Sequence, residues 1–306
     1  LSAEGAVVHS GGTDLLGCLR EGIIAPRTIV SLAGLPALTG VQEAGGGGLR
    51  IGALTTISEI ADHPVIRERY RGLSRAAAEV ASPQLRNQGT IGGNLCQKPR
   101  CWYYRGEFDC LRKGGATCFA AQGENQFHCL FGSGDICFIV HPSDTAPALV
   151  ALDARIDVSG PDGKRSLPVA DLHVLPEDDV QRETWLEPGE IITAVSLPAP
   201  RPTLYSSYRK VRARRSWDFA LAGVALAVEM DGKRVEGGRV VLSGVAPVPW
   251  RARSVEAVIH GKRLDDRTIA DAADAVVEGA DALDKNAYKI PLLRGIIREE
   301  LARAAA

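Results

Sequence analysis

Short apolar runs alternate with turn residues over the first sixty positions. Positions 6–9, 28–30 and 49–53 carry the β-branched, alternating pattern of strands, and the glycines at 45–48 form a hairpin-like connection before the last of them. From 57 to 80 apolar residues recur at helical spacing, with Ser58 placed as the cap before Glu59-Ile60-Ala61. Positions 144–153 predict another helix, capped by Asp144, with Pro147 tolerated in its first turn. A hairpin follows, 154–158 and 165–169 about the turn Pro161-Asp162-Gly163, and then a strand at 191–197 after the turn 187–190. Positions 198–202 read as a linker. Beyond it, 205–212, 219–229 and 239–243 read as long strands, and the Ala-rich stretches 268–282 and 290–305 as helices.

One segment breaks this regularity. Between Cys96 and Cys137 no helical or strand period is sustained, and six of the seven cysteines fall there: Cys96, Cys101, Cys110, Cys118, Cys129 and Cys137. A long irregular stretch inside a compact protein needs a functional or cross-linking reason. Disulfide frameworks belong to small secreted domains, and a chain of 306 residues is not small, so clustered thiols point to metal. Cys18, on an apolar helix, reads as a small buried hydrophobe.

Composition adds exclusions. Thirty-six Lys and Arg balance 37 Asp and Glu, which gives no general attraction to nucleic acid or to anionic membrane. No apolar run is long enough to span a bilayer, and the sequence, opening at Leu1 almost directly on a strand, shows no secretory signal and reads as a trimmed start. The expected location is the cytoplasm, with export alongside a partner as the alternative.

Two glycine loops suit a pyrophosphate. Ser10-Gly11-Gly12-Thr13-Asp14-Leu15 follows a strand and precedes a helical run, so backbone amides and a helix N-terminus face one point. The second runs from Ser82 through Arg86, Asn87 and Gln88 to Gly89-Thr90-Ile91-Gly92-Gly93-Asn94. Neither ends in the Gly-Lys-Ser/Thr of a P-loop, nor forms a full G-x-G-x-x-G with a ribose-binding acid, so ATP and Rossmann-bound NAD are not indicated.

These loops occur in order with Arg50-Ile51-Gly52-Ala53, His141-Pro142-Ser143-Asp144-Thr145-Ala146-Pro147-Ala148, Tyr208-Arg209-Lys210 and Trp217-Asp218-Phe219-Ala220. In this set the chain resembles the FAD-binding subunits of the xanthine dehydrogenase family of molybdenum hydroxylases. The resemblance implies an α+β, PCMH-type fold: one FAD-binding subdomain at 1–55, a second at 56–200 with an insert at about 96–140, and a C-terminal α+β domain with a three-stranded sheet at 203–306. The family's extra strand and helix before the first loop are absent or shortened.

By the same resemblance, Ser10, Gly11, Gly12, Thr13, Asp14 and Leu15 would hold FAD phosphate from one side. Arg86, Asn87, Thr90, Gly93 and Asn94 would face them from the other. Asp144 would bond the sugar or adenine end, Ile191 or Ile192 would lie near the isoalloxazine ring, and Lys210 would approach the flavin's polar edge. The insert is similar to those of 4-hydroxybenzoyl-CoA reductase and of periplasmic aldehyde oxidoreductases, whose flavin subunits hold an additional [4Fe–4S] cluster. It implies Cys101, Cys110, Cys118 and Cys137 as ligands, with Cys129 as a substitute; a cubane needs four converging thiolates. Arg100, Arg105, Arg112 and Lys113 are positioned in sequence to offset the thiolate charge.

The implied function is electron transfer between a molybdopterin-containing large subunit, a small subunit with two [2Fe–2S] clusters and an external acceptor, in an assembly that extends to a dimer of heterotrimers. No acid–base triad is expected, because the cofactor carries the chemistry. Two rivals stand beside this reading: a flavin-free scaffold stapled by a four-cysteine zinc site, and a stand-alone FAD oxidase of the vanillyl-alcohol type.

Overall fold

The computed structural model describes residues 5–306. β1 (Ala6–His9) and β2 (Thr28–Ser31) pair in parallel, and α1 (Leu15–Arg20) lies in the crossover between them. β3 (Val41–Glu43) and β4 (Leu49–Gly52) form a hairpin. Four short helices come next: α2 (Ile57–Asp62), α3 (Pro64–Arg69), α4 (Arg71–Ala78) and α5 (Pro83–Arg86). α6 (Ile91–Leu95) closes the second glycine loop, and α7 (Trp102–Arg105) opens the cysteine segment. α8 (Thr145–Ala151) leads into β5 (Arg155–Gly160), β6 (Gly163–Pro168) and β7 (Ile191–Leu197). These strands build an antiparallel sheet in the order β3-β4-β7-β5-β6.

The rest of the chain forms a second sheet from β8 (Leu204–Val211), β9 (Ala222–Asp231), β10 (Arg234–Ser243) and β11 (Trp250–Arg251), backed by α9 (Arg253–Ile259), α10 (Asp266–Ala275) and α11 (Lys289–Ala304). It has four strands where the sequence pattern predicts three; β11 is two residues long, too short to show a period of two. The first seven residues of β9 are all buried, because the sheet is covered on both faces. Ala225 and Ala227 pack into the core that holds α2, α4 and α8, while Val224 and Leu226 pack against α9–α11.

Three local expectations change. Thr56, not Ser58, caps α2: its hydroxyl accepts the amide of Glu59, and the Glu59 carboxylate accepts the amide of Thr56 at 2.8 Å, a reciprocal capping box. Ser58 lies inside the helix and donates to Asn87 Oδ1 at 2.5 Å. At α8 the hydroxyl of Ser143 accepts the amide of Ala146 at 3.0 Å, which leaves the Asp144 carboxylate for other partners. The helical stretch expected at 268–282 stops at Ala275.

Candidate flavin groove and cysteine nest

The two glycine loops meet. Ser10 and Thr90 hydroxyls are 3.1 Å apart, and a Cβ on Gly11 would overlap the backbone carbonyl of Gln88. Gly12 has φ +71°, and a Cβ there would stand 2.7 Å from His9 Nε2. Only glycine satisfies both positions. A groove of about 900 Å3 opens beside this junction, lined on one side by Gly11, Gly12, Thr13 and Asp14 and on the other by Gln88, Gly89, Thr90, Gly93 and Asn94. A second cavity of about 210 Å3 lies against the same junction, bounded by Ser10, Leu15 and Cys96.

The loops offer different chemistry to a ligand. In the second, the amides of Ile91 and Gly92 donate to the carbonyls of Thr55 and Ala53, that of Gly93 to Thr90 Oγ1, and that of Gly89 to Leu85. In the first, the amides of Gly11, Gly12, Thr13 and Asp14 donate to no protein acceptor among the described residues. The first loop therefore holds a run of four free donors that suits an anion, and the second holds hydroxyls, bare glycine surface and the free amide of Thr90.

The Asp14 carboxylate does not face a phosphate. It accepts the guanidinium of Arg105 and that of Arg100 at 2.8 Å each, and the amide of Lys98 at 2.7 Å, so it ties the first loop to the start of the cysteine segment. Arg100 also lines the groove, and its Nε has no protein partner.

Asp144 lies on the groove wall at 4% exposure. It is paired with Lys210 at 2.8 Å and accepts the Tyr208 hydroxyl at 2.7 Å. Burial pushes its carboxyl up, opposed by the Lys210 charge. Lys210 is behind Asp144, where it also donates to the Glu79 carbonyl, and it is not on the groove wall. Asn94 is on the wall; its Oδ1 accepts Ser143 at 2.5 Å and Thr145 at 2.6 Å.

Besides Lys210, and Ser10 and Leu15 at the neighbouring cavity, three more expected residues stand outside the groove. Ile192 is buried in the core of the five-stranded sheet, Arg86 donates to the Val80 carbonyl at 2.9 Å, and Asn87 is bonded to Ser58. Four that sequence reasoning did not assign do line it: Arg214, Trp217, Asp218 and Phe219. The sequence signal was the pair of aromatics flanking Asp218, which the structure leaves 62% and 44% exposed, with Trp217 at a φ of +54°. The Arg100 guanidinium sits 5.2 Å from the Phe219 ring centre.

A smaller, more apolar cavity of about 210 Å3 joins the groove to the cysteine segment. Cys101, Trp102, His128, His141, Asp144 and Phe219 are among its walls. His141 lies against His173 with ring centres 4.1 Å apart, and both are held neutral chiefly by burial, His173 down to about 4.

Around the thiols, Cys101 is the N-cap residue of α7 and makes no side-chain capping bond. Burial raises its pKa to about 11, with the neighbouring Cys118 and Cys110 adding to the rise. Cys118 and Cys137 influence one another's thiols, lowering the first and raising the second. Cys129 is pushed up to about 12 by burial. Cys18 is buried and accepts from Arg105 at 3.3 Å. Among the described residues no three His, Cys, Asp or Glu side chains are gathered closely enough to hold a single metal ion.

The expected charge balance is only partly met. Arg100 and Arg105 are engaged by Asp14, and Lys113 donates to the Gly106 carbonyl at 2.7 Å. Arg112 is buried on Glu183 and the carbonyls of Val180 and Arg182, within electrostatic range of Cys137.

No helix of the described residues is long and apolar enough to cross a membrane. The description "FAD binding domain in molybdopterin dehydrogenase" matches residues 2–200, and "CO dehydrogenase flavoprotein C-terminal domain" matches 206–298. The chain is 38% identical to the aldehyde oxidoreductase FAD-binding subunit PaoB of Escherichia coli, over 100% of this chain and 94% of that protein. It is 28% identical to the carbon monoxide dehydrogenase medium chain of Hydrogenophaga pseudoflava, covering 98% of this chain and 90% of that one. A solved structure of carbon monoxide dehydrogenase from the same organism superposes with a TM-score of 0.77 at 25% identity, over 99% of this chain and 91% of the other. The chain belongs to the FAD-binding subunits of the xanthine dehydrogenase and CO dehydrogenase family of molybdenum hydroxylases.

Proposed function

We propose that this subunit binds FAD with its pyrophosphate on the free amides of Gly11, Gly12, Thr13 and Asp14, against the Thr90–Gly93 face. FAD supplies electron exchange between one-electron and two-electron partners when bound. The protein holds the dinucleotide, excludes water and fixes its polar edge. The observation that carries this is the meeting of the two loops at Gly11 and Gln88, with four successive unbonded amides on the first loop. Asp144 would contact the ligand with one face while Lys210 and Tyr208 hold it from behind; Lys210 orients Asp144 and does not touch the flavin.

The chain works beside a molybdopterin-containing large subunit and a small [2Fe–2S] subunit, passing electrons on to an external acceptor. The names of the relatives, medium chain and FAD-binding subunit, support such partners. The cysteine segment carries a [4Fe–4S] cluster on Cys101, Cys110, Cys118 and Cys137. The electrostatic influence of Cys118 and Cys110 on Cys101, and that of Cys137 on Cys118, support this set.

The test is a visible spectrum of the purified protein before and after dithionite, with iron and acid-labile sulfide counted. A flavin spectrum over a broad iron–sulfur absorption supports both parts. Flavin with no iron removes the cluster alone, and a colourless protein removes the whole reading. Cys101→Ser and Cys118→Ser are each expected to lower iron to a small fraction and leave flavin in place.

A further inference from the structure

Asn94 sits on the groove wall with its backbone pinned in the second glycine loop. Its amide donates to the Thr90 carbonyl at 2.8 Å, and its own carbonyl accepts Gln97 Nε2 at 2.9 Å. The side chain is gripped by the residues that open α8. Ser143 Oγ lies 2.5 Å and Thr145 Oγ1 2.6 Å from Asn94 Oδ1. Both hydroxyl residues are buried, Ser143 at 2% exposure and Thr145 at 0%.

This contact fixes which way the carboxamide faces. Separations of 2.5 and 2.6 Å suit O–H···O and fall short of N–H···O, which spans about 2.7–3.2 Å. The proton count agrees. Ser143 Oγ already accepts the amide of Ala146 at 3.0 Å, and it lies 3.3 Å from Thr145 Oγ1. With the Asn94 oxygen toward them, each hydroxyl spends its one proton on that oxygen, which has two lone pairs. With the amide turned, its NH2 group would use both hydroxyls as acceptors. The Ser143–Thr145 contact could then take one hydroxyl proton, and the other would be buried with no acceptor among the described residues. The oxygen therefore faces α8. The NH2 group, which donates to no protein acceptor among the described residues, is left for the groove.

We propose that Ser143 and Thr145 are positioning residues of the flavin site: they lock the Asn94 carboxamide so that it presents two N–H donors, and no acceptor, to the pyrophosphate. This rests on the FAD reading above. Phosphate oxygens accept hydrogen bonds and do not donate them, so a carboxamide turned by half a rotation would set its oxygen against the anion. Asp144 stands between the two hydroxyl residues in sequence and on the same groove wall, tied to Lys210. The start of α8 thus sets two groove contacts at once, one through Asp144 and one through Asn94.

The experiment is a fluorescence titration of FAD into the deflavinated full chain, for wild type, Thr145→Val and Thr145→Ser. Thr145→Val keeps the branched shape and drops the hydroxyl; Thr145→Ser keeps the hydroxyl and drops the methyl. Expected is an FAD affinity about tenfold weaker in Thr145→Val and within about twofold of wild type in Thr145→Ser. The reverse order, with Thr145→Val binding as wild type does and Thr145→Ser binding more weakly, shows that Thr145 only fills space and overturns the proposal. Unchanged affinity in both variants overturns it, and so does an equal loss in both. A wild type that takes up no FAD overturns the flavin reading and this proposal with it. Ser143→Ala covers the case of a Thr145→Val chain that does not fold. A folded Ser143→Ala with affinity down about tenfold supports the proposal, and one that binds FAD as wild type does overturns it.

Discussion

Gly11 and Gln88 approach so closely that one added carbon on Gly11 would overlap the Gln88 carbonyl. The two halves of the groove are therefore clamped at one backbone contact, and the size of residue 11 decides their separation. Gly11→Val should force the loops apart at a cost of about 1–3 kcal/mol. The purified variant should carry less than about a tenth of the flavin of the parent, because the free amides of one loop no longer face the other. Full flavin occupancy in this variant would show that the clamp does not organise the groove.

The Asp144–Lys210 pair predicts a second asymmetry. Both side chains are almost wholly buried, at 5% and 1% exposure. Asp144→Asn leaves the ammonium unpaired and should cost about 3–5 kcal/mol in urea denaturation. Adding Lys210→Met to Asp144→Asn should recover much of that loss, since no buried charge then lacks a partner. A double variant as unstable as the single one would argue against charge pairing as the cause.

His141 and His173 predict an acid limit. Burial holds His173 down to about 4, against 6.5 in the unfolded chain, and His141 moves the same way from burial and from its neighbour. The unfolded state then binds protons that the folded state refuses. Stability is fully present above about pH 6.5 and is lost as pH falls toward 4, by about 3 kcal/mol for His173. Melting temperature against pH should slope down across this window, and His173→Leu should slope less. Parallel curves for the two proteins would remove His173 from the explanation.

Asp14 predicts coupling between the groove and the cysteine segment. Asp14→Ala removes the anchor of both Arg100 and Arg105 and should cost about 1.5–3 kcal/mol. It should weaken flavin binding on the order of tenfold, read by fluorescence titration of the deflavinated protein. Unaltered affinity would mean that the first loop holds its shape without this anchor.

The glycine loops were legible because glycine clustering reports backbone that must approach something, and the long strand β9 because its apolar run is continuous. What the sequence hid depends on partners far along the chain. Asp14 offers the groove its amide, and the sequence does not show that Arg100 and Arg105 hold its carboxylate. Lys210 reads as a ligand contact until it is found behind Asp144. Ile192 has the right strand but belongs to the core. Thr56 rather than Ser58 caps α2 because the register of Glu59 decides between two adjacent hydroxyls. Nothing within the C-terminal helix marks Lys289, since the carbonyls it meets are about 45 and 160 residues away in sequence.

The cysteine segment is laced to three distant parts of the chain: Arg105 reaches Asp14, Arg112 reaches Glu183, and Asn125 accepts the amide of Lys285 at 3.0 Å. It behaves as a keystone and not as an appendage. Excising it would orphan a carboxylate at the N-terminal loop and strip two of the three acceptors from a buried lysine at the other end, so the stretch cannot be trimmed without rebuilding both places.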